Sequence, residues 1–351
     1  MTDTAAEGSP PPLGGERPEK PTLKTIARLT GLAVATVSRA LADAPDLRTD
    51  TKALVRKVAD ELGYVPNRAG LRLRTGRTQV VSLVMSAEHD MLNNPARLIS
   101  SIAGTLQGTP FHLNVSYFFP GQELLKPIRH IVEMGLADAV IFNQTQPADP
   151  RVAWLMDRRF PFATHGRTHW ASQHAWADFD NLAFGAISVR RLARAGRRRI
   201  IVIAPPLDQN YAQDMVAGVM QAGAEEGVEV RILSDVSSDK PSAEVQASLA
   251  RVLPDGIDGL VCASTSSAMA AVAALEGHGM RLGHGIDLVA KEAIPFLSLF
   301  RREIIAIQED VGRAGAVLAQ AVIRAIREPG APPLQDLEVP QDDQDPTKGP
   351  T

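Results

Sequence analysis

The 351 residues are 44% hydrophobic, which suffices for more than one globular domain and excludes disorder for the bulk of the chain. The formal net charge of −3 hides an asymmetry, because residues 20–77 carry twelve Lys and Arg against five Asp and Glu, whereas the remainder carries 25 against 35. A small basic segment attached to an acidic body predicts that this segment alone contacts nucleic-acid phosphates.

Residues 1–20 are polar and rich in Pro and Gly, without the apolar core of a signal peptide or membrane anchor. We expect a disordered arm, with weak DNA contact as the alternative. No later segment is long and apolar enough to span a bilayer. Cys262 is the single cysteine, and no Cys or His cluster has the spacing of a zinc site. These features predict a cytoplasmic protein without a metal.

Residues 22–41, TLKTIARLTGLAVATVSRAL, have the pattern of two short helices joined by a tight turn. Thr22 is the N-cap candidate of the first helix, and Gly31 stands where a helix-turn-helix needs a residue tolerant of positive φ. In the second helix Val37 and Ala40 are spaced to face a core, which places short, polar or basic side chains on another stripe.

That outer stripe fits a DNA major groove, where Arg binds guanine O6 and N7 and small apolar groups contact a thymine methyl. We predict that Arg39 reads a base, whereas Lys24 or Arg28 only positions the domain. An ordinary helical hairpin is the alternative. The candidate DNA contacts of this region are Lys24, Val34, Ala35, Thr36, Ser38 and Arg39.

A third helix is predicted after a loop over residues 42–48. Thr49 is its cap candidate, Gly63 ends it, and its predicted apolar face consists of Leu54, Val58 and Leu62. The connector that follows, residues 66–78, is basic yet contains two leucines, which a plain solvated linker does not need. Gly70 costs about 1 kcal/mol relative to Ala if this connector forms a helix.

From residue 80 onward, apolar strands alternate with amphipathic helices, which predicts parallel sheets covered by helices on both faces. More than 200 residues of this pattern predict two doubly wound subdomains with a ligand cleft at the carboxyl ends of their strands. The tail over 329–351 is rich in Pro and Asp and is predicted to be disordered. The predicted strands are 80–85, 112–118, 138–143, 161–166, 199–204, 229–233, 258–263 and 286–291.

The run from Thr22 through Thr36-Val37-Ser38-Arg39 to Gly63-Tyr64-Val65-Pro66-Asn67 resembles the head of the LacI/GalR transcriptional regulators. The resemblance extends from about residue 21 to about residue 327. It implies a homodimer whose body is built like a type I periplasmic binding protein. It also implies that the connector folds on operator DNA into a hinge helix, with Leu73 as a minor-groove wedge and Asn67 and Arg68 as further DNA contacts.

The same resemblance places candidate effector contacts in the cleft. Arg167 and Asp180 suit paired sugar hydroxyls, although a structural ion pair is an equal alternative. Met215 and Ser264 occupy positions where the family has charged or amide anchors, so two anchors are lost. Trp154 and Trp176 either stack on a sugar or belong to the core. The predicted effector contacts are Arg167, Asp180, Met215, Ser264, Glu292 and Gln308.

No Walker, GxSxG, HExxH or DxDxDG motif is present, so we predict no enzyme and no cofactor. The preferred function is a DNA-binding transcriptional regulator, specifically a repressor, controlled by a neutral oligosaccharide with α-linkages. Phrases such as FPFATHGRT are similar to raffinose- and α-glucoside-responsive members. The alternatives are a sugar-binding protein without DNA function and an α/β sugar-metabolising enzyme. The predicted domains are a disordered arm (1–20), a helix-turn-helix head (21–65), a hinge (66–78), an effector-binding and dimerisation domain (79–328) and a tail (329–351).

Overall fold

The computed structural model describes residues 21–41, 43–64, 72, 76–86, 95–119 and 121–342. The chain divides into two compact units, residues 1–77 and residues 78–351. Within the described ranges, no helix is both long enough and apolar enough to cross a membrane.

The described part of the first unit contains the predicted helix-turn-helix and a third helix. The Thr22 side chain caps the first helix in a reciprocal capping box with Thr25, and Gly31 ends it at a φ of 67°. Both features match the sequence prediction. The helices are α1 (Leu23–Thr30), α2 (Val34–Leu41) and α3 (Thr49–Glu61).

The core of the first unit lies between these three helices. Ile26, Val37 and Val55 are fully buried in it. The predicted apolar face of α3 was partly wrong, because Leu54 is 45% exposed and Val55, the next residue, takes the buried position. The buried face of α3 is therefore shifted by about one residue from the predicted face, although Val58 still packs against the core.

The second unit alternates strands and helices as predicted. Its first part runs through β1 (Val80–Ser86), α4 (Pro95–Leu106), β2 (His112–Phe118), α5 (Leu125–Glu133), β3 (Ala139–Phe142), α6 (Pro150–Asp157), β4 (Phe162–His165) and β5 (Ala175–Phe179). The chain continues through α7 (Asn181–Arg194), β6 (Arg199–Ile203), α8 (Asn210–Glu226), β7 (Glu229–Ile232), α9 (Ser242–Val252), β8 (Gly259–Cys262), α10 (Thr265–Gly277) and β9 (Asp287–Glu292). It ends with α11 (Leu297–Phe300), β10 (Ile305–Gln308), α12 (Val311–Arg327) and β11 (Gln335–Glu338).

The strands of the second unit form two parallel sheets. The first subdomain has the strand order β11-β5-β4-β3-β1-β2, and the second has the order β10-β9-β8-β6-β7. Helices α4 and α12 cover one face of the first sheet, while α5 and α6 cover the other. Helices α7 and α8 cover one face of the second sheet, opposite α9 and α10. This is the predicted pair of doubly wound subdomains.

The chain passes between the two subdomains at three places. The crossovers lie between β5 and α7, between β10 and α12, and after β11. The backbone N–H of Asp180 in the first crossover donates to the carbonyl of Glu338 (2.8 Å), and the N–H of Asp310 in the second donates to the Glu338 carboxylate (2.9 Å). Glu338 therefore ties the three crossovers together.

The prediction of a disordered tail from residue 329 was wrong for its first part. Gln335–Glu338 pair in parallel with Trp176–Phe179 of β5 and form the edge of the first sheet. The short, polar sequence QDLE carries no apolar run, so only its pairing with β5 identifies it as a strand. The structured body accordingly extends past the predicted end at 328 to at least residue 342.

Candidate DNA-binding surface and effector cleft

The outer stripe of α2 is available to a ligand. Val34, Ala35 and Arg39 are exposed, while Val37 and Ala40 on the opposite side are buried. Two further predicted contacts, Thr36 and Ser38, are half-buried, and Lys24 on α1 is exposed. The helix thus presents short side chains and one guanidinium, as major-groove readout requires.

Arg39 carries an intramolecular partner. Its guanidinium pairs with the Asp46 carboxylate in the loop before α3, and both side chains are at least half exposed. An exposed ion pair contributes only about 0–1 kcal/mol, so a DNA base can replace Asp46 at little cost.

The predicted hinge falls almost wholly outside the described residues. Asn67, Arg68 and Leu73 belong to that part of the chain. Their roles stay predictions.

A cavity of about 110 Å³ lies in the cleft between the two subdomains of the second unit. The first subdomain lines it with residues at the ends of β1, β3 and β4, and the second with residues at the ends of β8 and β9, the pattern expected for parallel sheets. Its polar lining consists of Asn143, Gln144, His165, Asp178, Asn181, Tyr211, Ser238, Asp239, Lys291, Glu292 and Glu309. We call this space the inner cavity.

Four residues that line the inner cavity form one charged network. Lys291 Nζ lies 3.0 Å from a Glu309 carboxylate oxygen and 3.0 Å from Asn181 Oδ1, and His165 Nε2 lies 3.5 Å from the other Glu309 oxygen. Burial would raise the pKa of Glu309, but Lys291 and His165 outweigh that effect and lower it to about 2. Glu309 is therefore ionised and holds the ammonium in place.

A second charged network joins the subdomains beside the inner cavity. Arg167, which follows β4, lies 2.7 Å from Asp178 on β5 and 3.2 Å from Asp214 on α8 of the other subdomain. Burial raises the pKa of Asp178 even though the nearby guanidinium opposes the shift. Arg167 itself does not line the inner cavity, so the ion-pair alternative weighed for it fits the geometry.

The loop between β3 and α6 is held by a fully buried ion pair. Arg151 Nη2 lies 2.7 Å from the Asp149 carboxylate and donates to the carbonyl of Gln144 at 2.8 Å. Its guanidinium also stacks on the Phe142 ring. Gln144 has a φ of 53°, which a non-glycine residue keeps only when its surroundings enforce it. Arg151 thus positions a residue that lines the cavity.

Of the six predicted effector contacts, Glu292 is the one that lines the inner cavity. Its carboxylate accepts the backbone N–H groups of Phe296 and Leu297 at 3.0 and 2.8 Å, so it also caps the loop into α11. Its role as an effector contact stays a prediction.

The other predicted contacts lie elsewhere. Asp180 and Ser264 are N-caps, of α7 and α10, because each accepts a backbone N–H three residues later. Met215 is buried in the core between α7 and α8, and Gln308 is exposed at the end of edge strand β10. None of these four residues lines the inner cavity, and their roles as effector contacts stay predictions.

The two tryptophans lie outside the inner cavity. Trp176 is buried in β5 and donates its indole N–H to the carbonyl of Ala171 at 2.9 Å. Trp154 is partly buried in the first subdomain, with the Arg158 guanidinium 3.9 Å above its ring. Both positions agree with the core alternative.

Comparisons with known proteins identify both units. Residues 22–67 match the model of bacterial regulatory proteins of the lacI family, and residues 189–342 match a periplasmic binding protein-like domain. The HTH-type transcriptional regulator AglR of Rhizobium meliloti (strain 1021) is 30% identical over 325 residues, 90% of each chain. This chain belongs to the LacI family. It is a DNA-binding transcriptional regulator and not an enzyme.

Other members of the LacI family are similar over most of their length. The regulator RafR of Escherichia coli is 27% identical over 315 residues, 89% of this chain and 93% of RafR. A complex of the regulator CelR with cellobiose aligns with a TM-score of 0.66 at 23% identity, over 92% of this chain and 98% of CelR. The lac repressor dimer bound to operator and the anti-inducer ONPF aligns with a TM-score of 0.78 at 18% identity, over 92% and 97%. At these identities the structures support the fold.

Several cavity residues escaped the sequence analysis. Asn143 and Lys291 are the last residues of predicted strands, so their position at a sheet edge was a usable signal. Tyr211 and Asp239 lie near the starts of α8 and α9 and enter the cleft only through the tertiary fold. No local pattern marks them.

Proposed function

We propose that this regulator is a homodimeric cytoplasmic repressor whose operator affinity is set by a neutral, hydroxyl-rich effector in the inner cavity. The observation that carries this proposal is the charge of the lining. Four carboxylates, those of Asp178, Asp239, Glu292 and Glu309, line the cavity, and Lys291 is the single Lys or Arg among the described lining residues. A phosphorylated or carboxylated ligand would meet an excess of negative charge there.

The polar groups of the cavity suit sugar hydroxyls. Carboxylates accept hydrogen bonds, and the amide of Asn143 both donates and accepts, whereas the amide of Asn181 already bonds to Lys291 and to the carbonyl of Phe179. Burial raises the pKa of Tyr211, so its phenol stays protonated and supplies a further donor. The relatives support the same class of ligand, because the solved CelR structure contains cellobiose. The dimer rests on the lac repressor neighbour, which is a dimer on its operator.

Calorimetry on the full chain tests the ligand class. We expect binding of neutral saccharides with α-linkages and no binding of the corresponding sugar phosphates. Asn143→Ala should weaken the binding, whereas Asn114→Ala, a matched change on exposed β2, should leave it intact. Binding confined to phosphorylated sugars would contradict the proposal.

A gel shift on pooled genomic DNA tests the repressor function. We expect one class of fragment to bind the full-length chain and to be released by the saccharide that binds in calorimetry. Operator binding that strengthens with the saccharide would contradict induction and instead indicate a co-repressor.

A further inference from the structure

One carboxylate holds the chain at the point where it enters the second unit. The first unit ends at Arg77, and the second begins at Thr78, the last residue of the predicted hinge. Asp138, directly before β3, accepts hydrogen bonds from the backbone N–H of Thr78 at 2.8 Å, from the Thr78 hydroxyl at 2.9 Å and from the backbone N–H of Gln79 at 2.9 Å. We call these three bonds to Asp138 the β1 clamp.

The β1 clamp acts on a backbone with an unusual conformation. Gln79 has a φ of 56°, which a non-glycine residue keeps only when its surroundings enforce it. The neighbouring strands hold the next bonds of the chain, because the carbonyl of Gln79 accepts the N–H of His112 at 2.9 Å and that of Val80 accepts the N–H of Asp138 at 2.8 Å. The path of the chain into β1 is therefore fixed from both sides.

The second subdomain contains a similar arrangement at the start of β6. Asp258 directly precedes β8, which pairs with β6 as β3 pairs with β1. Its carboxylate accepts the backbone N–H groups of Arg198 at 2.8 Å and Arg199 at 2.7 Å. The chain before β6 leads to α7 and not to the DNA-binding unit. Asp258 therefore shows what such a carboxylate does when it serves the sheet alone.

The two arrangements differ in how far they reach along the chain. Arg198 corresponds to Gln79, because each donates its N–H to the carboxylate and offers its carbonyl to the first residue of the edge strand. In the first sheet the Thr78 hydroxyl accepts the N–H of Val80 at 3.1 Å, so that Asp138 binds Thr78, one residue farther back. Arg198 also lacks the positive φ of Gln79. The longer reach lies where the chain comes from the DNA-binding unit.

The end of a connection matters for a protein that binds two half-sites at once. A dimeric helix-turn-helix protein places its two DNA-binding units on half-sites at a fixed spacing. After the first has bound, the second binds at an effective concentration that depends on the length and stiffness of its connection. A connection that is fixed at its end confines the second unit to fewer positions, and this raises the effective concentration.

We propose that Asp138 is a positioning residue for operator binding. By holding Thr78 and Gln79, it fixes the direction in which the chain leaves the second unit, and it thereby raises the affinity for two half-sites on one duplex. Asp138 needs no contact with DNA for this role. The inference rests on the homodimer of the proposed function, but not on the effector.

Fluorescence anisotropy on the full-length protein tests this role. The probes are the fragment found in the gel shift and the same fragment with one half-site scrambled. Asp138→Asn keeps the shape of the side chain but replaces an accepting oxygen with a donating NH₂ group. We expect it to weaken binding to the intact fragment about tenfold and to leave binding to the single half-site unchanged.

Asp258→Asn is the matched control, because it removes the corresponding carboxylate from the second sheet. Both substitutions should lower the melting temperature by similar amounts, since each leaves two backbone N–H groups with a poorer acceptor. Asp258→Asn should leave the affinity for both fragments unchanged. The contrast between the two variants separates positioning from stability.

Substitutions at Thr78 test the β1 clamp without changing Asp138. Thr78→Val removes the hydroxyl, which donates to Asp138 and accepts from Val80, but keeps the backbone N–H. It should weaken binding to the intact fragment about threefold, because one of three bonds to the carboxylate is lost. Thr78→Ser keeps the hydroxyl and should bind like the wild type.

Three results would count against the proposal, and one of them reaches further. Equal affinities of the Asp138→Asn and Asp258→Asn proteins for the intact fragment would overturn it. So would equal losses by Asp138→Asn on the intact fragment and on the single half-site, because effective concentration does not act on a single contact. A wild-type protein that binds both fragments alike would contradict the proposed homodimer, and the role of Asp138 with it.

Discussion

Arg39 is the exposed guanidinium of α2 and is predicted to read a base. Replacing it with Ala should cost roughly 1–3 kcal/mol on the cognate operator and flatten discrimination at one base pair, because a bidentate contact to guanine is lost. Fluorescence anisotropy on the operator and on single-base variants measures both effects.

Arg28→Ala is the matched control for this prediction, since Arg28 is exposed on α1 rather than on the outer stripe of α2. A phosphate contact should weaken binding to all sequences alike and lower the salt slope by about one. If Arg39→Ala causes equal losses on operator and random DNA, Arg39 does not read a base.

Glu309 predicts an acid-sensitive step in the stability of the second unit. Its pKa is lowered in the folded protein from 4.5 to about 2 by Lys291 and His165. The ionised form is therefore favoured by folding, and its contribution is complete above pH 4.5 and lost as the pH falls from 4.5 to 2. Glu309→Gln should lower stability at pH 7 and reduce the loss across this interval, as measured by urea denaturation at several pH values.

Glu226→Gln, on the exposed side of α8, is the control for that experiment and should leave the profile unchanged. A Glu309→Gln protein with the wild-type pH profile would show that the Lys291 network does not depend on this carboxylate.

The sequence predicted the roles of some residues whose partners are close in the chain, but not of residues whose partners come from the tertiary fold. Gly31 and Thr22 were predictable because a turn and a cap depend on neighbours within a few residues. Asp180 was predicted to bind a sugar, and the structure shows in addition that its carboxylate caps α7. Residue type and spacing did not reveal the cap, and the sugar contact stays a prediction.

Helices α7 and α8 pack so closely that Gly185 and Gly218 leave no room for a Cβ atom between them. A Cβ added at Gly218 would lie 2.1 Å from the carbonyl oxygen of Leu182, and one at Gly185 would lie 2.4 Å from that of Met215. Gly218→Ala should therefore destabilise the second unit by about 1–3 kcal/mol through overpacking. Chemical denaturation measures the change.

The comparison for Gly218 is Gly104→Ala on α4, where an added Cβ meets nothing within 4 Å. That substitution should stabilise the protein by about 0.4–1 kcal/mol, because Ala restricts the unfolded chain and favours a helix. Similar effects at the two glycines would contradict the close packing of α7 on α8.

All eight predicted strands are present. Six of them are central, and these are apolar because both faces of a parallel sheet are covered, whereas β2 and β7 are edge strands in which exposed residues alternate with more buried ones. β10 and β11 are edge strands of only four residues, and they escaped prediction. β5 is buried, but its short AWADF sequence contains no β-branched residue.

At the scale of the whole molecule, charge is divided according to function. The basic segment over 20–77 lies within the first unit, and the second unit carries more Asp and Glu than Lys and Arg. This arrangement attracts phosphate to the helix-turn-helix and keeps the effector-binding unit from binding DNA nonspecifically. The cleft follows the same division, since carboxylates outnumber cations among its described lining residues.

The last element of the body predicts where the chain can be shortened. β11 closes the edge of the first sheet beside β5, Glu338 accepts from both other crossovers, and Arg191 on α7 pairs with Asp342 at 3.1 Å. Truncation after Glu328 removes all of these contacts and exposes the backbone of β5 as a new edge. We expect it to lower the melting temperature and to abolish effector binding.

Truncation after Asp342 keeps β11 and the pair with Arg191, so this longer chain is the matched control. It should melt with the full-length protein and retain its effector affinity, because it keeps the pairing of β11 with β5 and the ion pair of Arg191 with Asp342. Thermal unfolding of both truncations by circular dichroism makes the comparison. If the chain that ends at Glu328 melts with the one that ends at Asp342, the third crossover adds nothing to the body. Residue 328 would then be the end of the part of the chain that contributes to stability, even though β11 pairs with β5.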